Sequence, residues 1–244
     1  RPVRPNFETE FGSAPEEGHR YIPKMCVANE DWVKGELAHI KELVSRYEID
    51  GIWLDGMNPS MLCHCAECLR QLRGKGRDPH DATAQFEHKR GLLYSFYQRI
   101  HQVVKEARPG CLVTPQNQST FGLGDRTAFL DSTDLESLFT DRALTRYGYY
   151  YYPTAVKFAR GFGIPTSGLT TRFKGFWADF GGLKLPAQLL TEVATIVANG
   201  GRCTIGDQVP PNGRLDLAVY HVIGQAYRHI ERLEPYLEQA VPVS

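Results

Sequence analysis

An excess of charge of either sign is missing from the 244 residues: 28 Lys and Arg stand against 28 Asp and Glu, and the net charge is zero. Without a global positive field the chain is a poor match for nucleic acid or an anionic membrane surface, so the expected ligand is small or neutral. No apolar run approaches the ~18 residues of a membrane span. Arg1-Pro-Val-Arg-Pro5 lacks the apolar core of a signal peptide, and a start without Met is expected of either a cloning boundary or an internal cut. No G-x-G-x-x-G follows an apolar run, which argues against a dinucleotide-binding sheet. Internal repeats and low-complexity tracts are absent too. Six cysteines are too few and too clustered for a disulfide scaffold, and they point to a reducing compartment, the cytoplasm, or to a metal.

What is present is a 42% hydrophobic chain long enough to bury a large core as one domain. Residues 1–20, rich in Pro, Gly and Glu without periodicity, read as an irregular loop. Residues 21–244 then alternate short apolar runs with helical patterns. Strands are predicted at Tyr21–Val27, Gly51–Leu54, Cys111–Thr114, Asp134–Leu138, Pro165–Thr170 and Arg202–Gly206. Helices are predicted from an Asn29 cap to about Arg46, from Asp81 to Ala107, from Pro153 to Arg160, from Pro186 to the Asn199-Gly-Gly201 stop, and from Leu215 to Leu233. Six repeats of strand then helix predict a parallel α/β fold, with a (β/α)8 barrel lacking its first two units preferred over an open doubly wound sheet.

The stretch from Asp50 to Cys68 carries the most chemistry. Asp50-Gly-Ile-Trp-Leu-Asp55-Gly56 reads as a buried parallel strand that delivers Asp55 to its C-terminal edge, where barrels do chemistry, with the aromatic Trp53 beside it. An Asp-Gly turn is the alternative reading of Asp55. Glu136, inside the fourth strand, and Asp207, after the last, also fall near strand ends; an ordinary surface acid and a turn residue are their alternatives. Glycoside hydrolysis needs two carboxyls across one bond, and Asp55 and Glu136 are the candidate pair. Asn117, in the polar run Gln116-Asn-Gln118, and Gln208, beside Asp207, occupy positions suited to contacting substrate. Trp177, in the glycine-rich aromatic loop 171–182, is the candidate stacking platform for a sugar, whereas most of the tyrosines at 147–152 suit helix packing. Cys63-x-Cys65-x-x-Cys68 supplies three thiolates, and Cys26, at the end of the preceding strand, could complete a tetrahedral four-cysteine zinc site; a closed shell of this kind is structural. His64 is a weaker alternative ligand. Cys111 and Cys203 read as free buried thiols.

Taken together, Tyr47-x-x-Asp50-Gly-Ile-Trp-Leu-Asp55-Gly, the C-x-C-x-x-C, Trp177-x-x-x-Gly-x-x-Lys184, Ala198-Asn-Gly-Gly-Arg-Cys-Thr-Ile-Gly-Asp-Gln208, Pro211-Asn-Gly-x-Leu-Asp216 and Ile230-Glu-x-x-Glu-Pro235 resemble the barrel domain of bacterial glycoside hydrolases related to α-L-fucosidases. The resemblance runs over about residues 20–244. It implies a retaining exo-glycosidase acting on an oligosaccharide or glycoside, with Asp55, at the end of the fourth barrel strand, as nucleophile. Glu136 is carried over as acid/base only by its place after a later strand. Such proteins often carry a following domain like the trimerisation domain of β-galactosidases, which implies a homo-oligomer held by regions outside this chain. The cysteine pattern is also similar to the zinc site of a β-galactosidase family, in which the position of Asp55 would be an acid/base Glu. A non-catalytic carbohydrate-binding barrel is the third expectation.

Overall fold

A computed structural model describes residues 25–55, 63–117, 130–138, 148–238 and 240. The chain divides into two compact units, Arg1–Val113 and Thr114–Ser244.

In the first unit, α1 (Glu30–Arg46) starts where the Asn29 side chain accepts from the backbone N–H groups of Asp31 and Trp32. Val33, Ile40 and Val44 form its buried stripe. Strand β1 (Gly51–Leu54) follows, then α2 (Ala66–Gly74), then α3 (Ala82–Ala107), capped by Asp81. Helix α3 buries Phe96, Ile100 and Val104 and packs on α1, with the Trp32 and Phe96 rings 5.6 Å apart. Each such aliphatic or aromatic side chain contributes about 1.5–3 kcal/mol by leaving water. Strand β2 (Leu112–Asn117) begins in this unit, where the Leu112 N–H donates to Asp50 O at 2.8 Å.

In the second unit β2 runs on into β3 (Thr133–Leu138), α4 (Tyr151–Arg160), β4 (Thr166–Thr171), α5 (Pro186–Ala198), β5 (Arg202–Gly206), α6 (Leu217–Glu231) and the single turn α7 (Glu234–Leu237). The sheet order is β1-β2-β3-β4-β5, and the pairs from β2 to β5 are parallel. Sequential order with helical crossovers is the topology of a (β/α) barrel rather than of a doubly wound sheet, whose order reverses. Leu189, Val193, Ala226 and Ile230 make the core between α5 and α6, with Cys203 and Ile205 of β5 against it. Gly168 has to be glycine: a Cβ there would sit 2.6 Å from the Tyr152 ring and 2.8 Å from Ile196, so its absence lets α4 and α5 close onto β4.

Several expectations change. Of the strand expected at Tyr21–Val27, residues 21–24 lie outside the described residues, and residues 25–27 run into a turn in which Asn29 N–H donates to Cys26 O, just before α1. Strand β1 is not buried. It is the first strand in the sheet order, with one neighbour among the described residues, and Gly51 and Trp53 are exposed. Gln116 and Asn117 belong to β2, because pairing with Asp134 and Leu135 of β3 extends the strand three residues past Thr114. Helix α2 has no counterpart in the expected elements, since nine residues beginning inside a cysteine motif show little periodicity. The last helix stops at Glu231 and resumes for one turn after Leu233, with Pro235 in its first turn.

Candidate functional site

The candidate residues of the first unit lie after β1 and around α2. Asp55 is the residue immediately after β1 and is exposed, and Trp53, two residues earlier, is 46% exposed. Four sulfurs converge close by in sequence: those of Cys26, Cys63, Cys65 and Cys68 all lie within 4.8 Å of one another. Cys26 Sγ is 3.3 Å from Cys68 Sγ and 3.5 Å from Cys63 Sγ, and none of the four forms a disulfide. A tetrahedral site with metal–sulfur bonds of ~2.3 Å has sulfurs about 3.8 Å apart, so the cluster is of the size that a divalent cation such as zinc requires.

The local backbone explains how they meet. Cys65 is the N-cap of α2 and its sulfur accepts the Cys68 N–H at 3.5 Å; the Ala28 N–H donates to Cys26 Sγ at 3.4 Å. Donors of this kind favour the thiolate. Without a cation, however, close sulfurs cannot all ionise. The hydrogen bonds with Cys26 and then Cys68 hold Cys63 far below the ordinary thiol range, while the bonds with Cys26 and Cys63 push Cys68 far above it. The bond with Cys63 moves Cys26 up to about 11. A divalent cation removes that repulsion, because a coordinating thiol gives up its proton.

The second unit brings Asp207, Gln208 and Trp177 together at the ends of β4 and β5. Asp207 Oδ1 accepts from Arg172 Nε at 2.9 Å, and the two side chains are only 10% and 3% exposed. The same oxygen accepts the Gln208 N–H at 2.8 Å, and Gln208 Oε1 accepts Trp177 Nε1–H at 2.8 Å. The Arg172 guanidinium also donates to Phe180 O and lies 4.2 Å from the centre of the Phe173 ring, a cation–π contact. Asp207 is thus committed to Arg172, and the exposed side chain beside it is that of Gln208. Trp177 is 40% exposed, sits edge-on to buried Phe173 at 5.2 Å, and covers Gly206, where a Cβ would come within 2.9 Å of the indole. The next residue, Ala178, has φ +65, an uncommon conformation for a residue with a Cβ that turns the loop sharply after the indole.

Beneath this loop lies a buried network. Lys184 Nζ donates to Glu192 Oε2 at 2.7 Å and to Thr170 Oγ1 at 3.0 Å, and both charged side chains are fully buried. Gln188 Nε2 donates to the other carboxylate oxygen at 3.1 Å. Backbone bonds from Lys184 N to Arg172 O and from Arg172 N to Gly206 O join this network to the ion pair above it.

Arg172 and Glu192 were not among the residues singled out from the sequence. Glu192 left a signal: it shares the stripe Leu189, Val193 and Ile196 on α5, and a carboxylate on an apolar stripe needs a buried partner. Arg172, directly after a strand, left none that sets it apart. Asn117 ends β2 and pairs with Leu135; its side chain and that of Glu136 lie outside the described residues. The backbone at Glu136 is nevertheless informative. Register with β4 shifts between Leu135, opposite Gly168, and Leu138, opposite Thr170, so three steps on β3 match two on β4 around Glu136 and Ser137. Burial pushes the Cys203 thiol up to about 12, which disfavours the reactive thiolate, and Cys111 is buried as well.

No protein-family model matches the chain, and neither does a curated protein sequence. Among solved structures, alpha-L-fucosidase isoenzyme 2 from Paenibacillus thiaminolyticus is similar at 30% identity with a TM-score of 0.79, covering 91% of this chain and 34% of that one. The chain therefore spans about a third of the length of that enzyme. Bee venom hyaluronidase, at 12% identity and a TM-score of 0.51, covers 82% of this chain and 71% of its own, a likeness of fold alone. Over nine-tenths of its length, then, this chain has the glycoside-hydrolase barrel-like fold of an α-L-fucosidase, as its motifs implied.

Proposed function

We propose that the chain is part of the catalytic barrel of a retaining exo-glycosidase that releases α-L-fucose, with Asp55 as nucleophile and Glu136 as acid/base. The observation that carries this reading is the likeness to an α-L-fucosidase at 30% identity over 91% of the chain. In double displacement, the Asp55 carboxylate attacks the anomeric carbon while the acid protonates the departing glycosidic oxygen. Water then cleaves the glycosyl ester with the same acid acting as base. Asp55 suits the first role because it immediately follows a strand and is exposed. Glu136 suits the second because it stands in a register irregularity, a device that re-aims a side chain next to active sites.

Trp177, fixed by Gln208 and Phe173 and left partly exposed, supports the reading of a platform for the apolar face of a pyranose. Trp53 and Asn117 are the further substrate contacts. The four cysteines would hold one zinc with all positions filled, so that its contribution is to folding rather than chemistry, and four free thiols suit the cytoplasm. Association into a homo-oligomer would come from regions outside this chain.

The decisive experiment is turnover of a nitrophenyl glycoside panel that includes α-L-fucoside and β-D-galactoside. Hydrolysis of the α-L-fucoside, abolished in Asp55→Asn, is the expected result. For Glu136→Ala, a loss of about 10²–10⁴-fold on substrates with poor leaving groups and rescue by azide are expected. Hydrolysis of the β-D-galactoside alone would instead support the reading suggested by the cysteine pattern. Saturable sugar binding without turnover would support a non-catalytic barrel, and full activity in Asp55→Asn would refute the nucleophile.

A further inference from the structure

Arg172 opens the loop between β4 and α5, and its buried guanidinium reaches three places at once. Nε donates to Asp207 Oδ1, just past β5, at 2.9 Å; Nη1 donates to the carbonyl of Phe180, eight residues along the loop, at 3.1 Å; and its central carbon lies 4.2 Å from the centre of the Phe173 ring. Trp177 lies in the segment these anchors bracket, and its ring is gripped at the edges. Nε1–H donates to Gln208 Oε1, the benzo edge lies over Gly206, and the Phe173 ring stands across it at 74°. All three contacts lead back to Arg172. Asp207 Oδ1, which takes Nε, also takes the Gln208 N–H and so fixes the residue that carries the acceptor. The Arg172 N–H donates to Gly206 O at 3.1 Å, and the guanidinium is shared between the rings of Phe173 and Phe180, which meet edge-on at 86°. A buried ion pair is seldom a better stabiliser than apolar residues of the same volume, so the gain from burying Arg172 with Asp207 is one of orientation. A planar guanidinium suits that task because its donors have fixed directions, which a lysine ammonium lacks.

We propose that Arg172 is a positioning residue for the substrate: without touching the sugar, it fixes the plane of the Trp177 indole and, with it, the Gln208 amide. The direction of that amide follows from the donor it meets. An indole N–H can only donate, so Oε1 is the atom turned to Trp177, and the NH2 of the exposed Gln208 side chain is the group offered to a sugar hydroxyl. The subsite so built takes a pyranose with an apolar face for stacking and a hydroxyl at its rim. The inference rests on the reading of Trp177 as the sugar platform.

The test reads binding, chemistry and the indole separately in the full chain. KM and kcat are measured for nitrophenyl α-L-fucoside, or the Kd of L-fucose by calorimetry where turnover is too slow to follow, together with the indole N–H resonance of Trp177, identified by its loss in Trp177→Ala. Arg172→Met should raise KM or Kd roughly 10-fold with kcat within about 2-fold of native, since contacts made equally in ground and transition state set KM alone. The Trp177 resonance should move toward that of a water-exposed indole and exchange faster. Arg172→Lys, which cannot satisfy Asp207 and Phe180 O together, should change both in the same direction by less. Arg172→Met with Asp207→Asn removes the pair without leaving a buried charge, and it carries the test should Arg172→Met fail to fold. Val193→Ala, a change in the core between α5 and α6, should lower stability yet move neither KM nor the resonance, which separates positioning from loss of stability. Either a native KM or an unmoved resonance in Arg172→Met, or in the double variant where that carries the test, would overturn the proposal, as would a loss that falls on kcat. A native KM in Trp177→Ala would overturn the platform reading, and a native chain that neither hydrolyses the fucoside nor binds L-fucose would overturn the proposed function; this proposal falls with either.

Discussion

The two units of the chain hold their irregular segments with opposite chemistry. In the first, the turn before α1 and the start of α2 meet through four sulfurs, while Gln85 of α3 reaches His64, between two of them in sequence, and His88 reaches Lys75 at the end of α2. In the second, the loops after β4 and β5 are joined by ions and rings: Arg172 to Asp207, Gln208 to Trp177, and Lys184 to Glu192 below. Loops lack the backbone ladders of helices and strands, so side chains must cross-link them. Thiols are weak partners for one another until a cation deprotonates them, whereas an arginine–carboxylate pair is complete as it stands. The first arrangement is therefore conditional on redox state and, on the proposed metal reading, on the metal, and the second is not.

On the proposed reading of the cysteines as a zinc site, the comparison is broken most severely by removing the metal. Cys68→Ser, or prolonged chelation of the reduced chain, is expected to destabilise the first unit by roughly 5 kcal/mol or more, because structural zinc contributes about 10–16 kcal/mol in small zinc domains. Hydrogen exchange should show α1 and α2 losing protection while α5 and α6 keep theirs; equal loss in both would show that the two chemistries are not independent.

A smaller effect is expected in the second unit. Glu192→Gln leaves the Lys184 charge buried without its counter-ion and should cost about 3–5 kcal/mol in denaturant unfolding. Lys184→Met combined with Glu192→Leu should recover most of it, since a buried pair replaced by apolar residues of similar size is often neutral. If the double variant is as unstable as Glu192→Gln, the network does more than compensate charge. Chelation should leave both unfolding differences unchanged.

The smallest change sharpens the picture at the indole. Gln208→Ala removes the acceptor of Trp177 Nε1–H, but water can replace it at a side chain 40% exposed, so no more than about 1 kcal/mol of stability should be lost. The expected signature is a broader, red-shifted Trp177 fluorescence, measured with Trp32 and Trp53 replaced by Phe, together with a raised KM at constant kcat for the proposed glycoside. An unchanged spectrum would mean that Phe173 and Gly206 alone hold the ring.

Periodicity and capping, which are local, were legible in the chain. Asn29 caps α1, Asp81 caps α3, and Pro186 and Asn199-Gly200 bound α5 within a residue of expectation, because these signals act through neighbouring backbone groups. The cysteine cluster was legible for a different reason: three sulfurs in six residues have few uses, and a fourth upstream completes a shell. Strand ends were less so. The extension of β2 through Asn117 depends on which residues of β3 lie opposite, and the exposure of β1 on its place at the start of the sheet order.

Composition and local pattern by themselves determined the α/β class, the alternation of strand and helix, and the grouping of thiols, since each follows from contacts within a few residues. Only the tertiary structure decided that Arg172 takes Asp207, that Lys184 and Glu192 share one buried site, and that Gln85 reaches His64. Those choices join residues 35, 8 and 21 positions apart, and a charge or a buried donor finds its partner by proximity in space, which spacing along the chain does not encode.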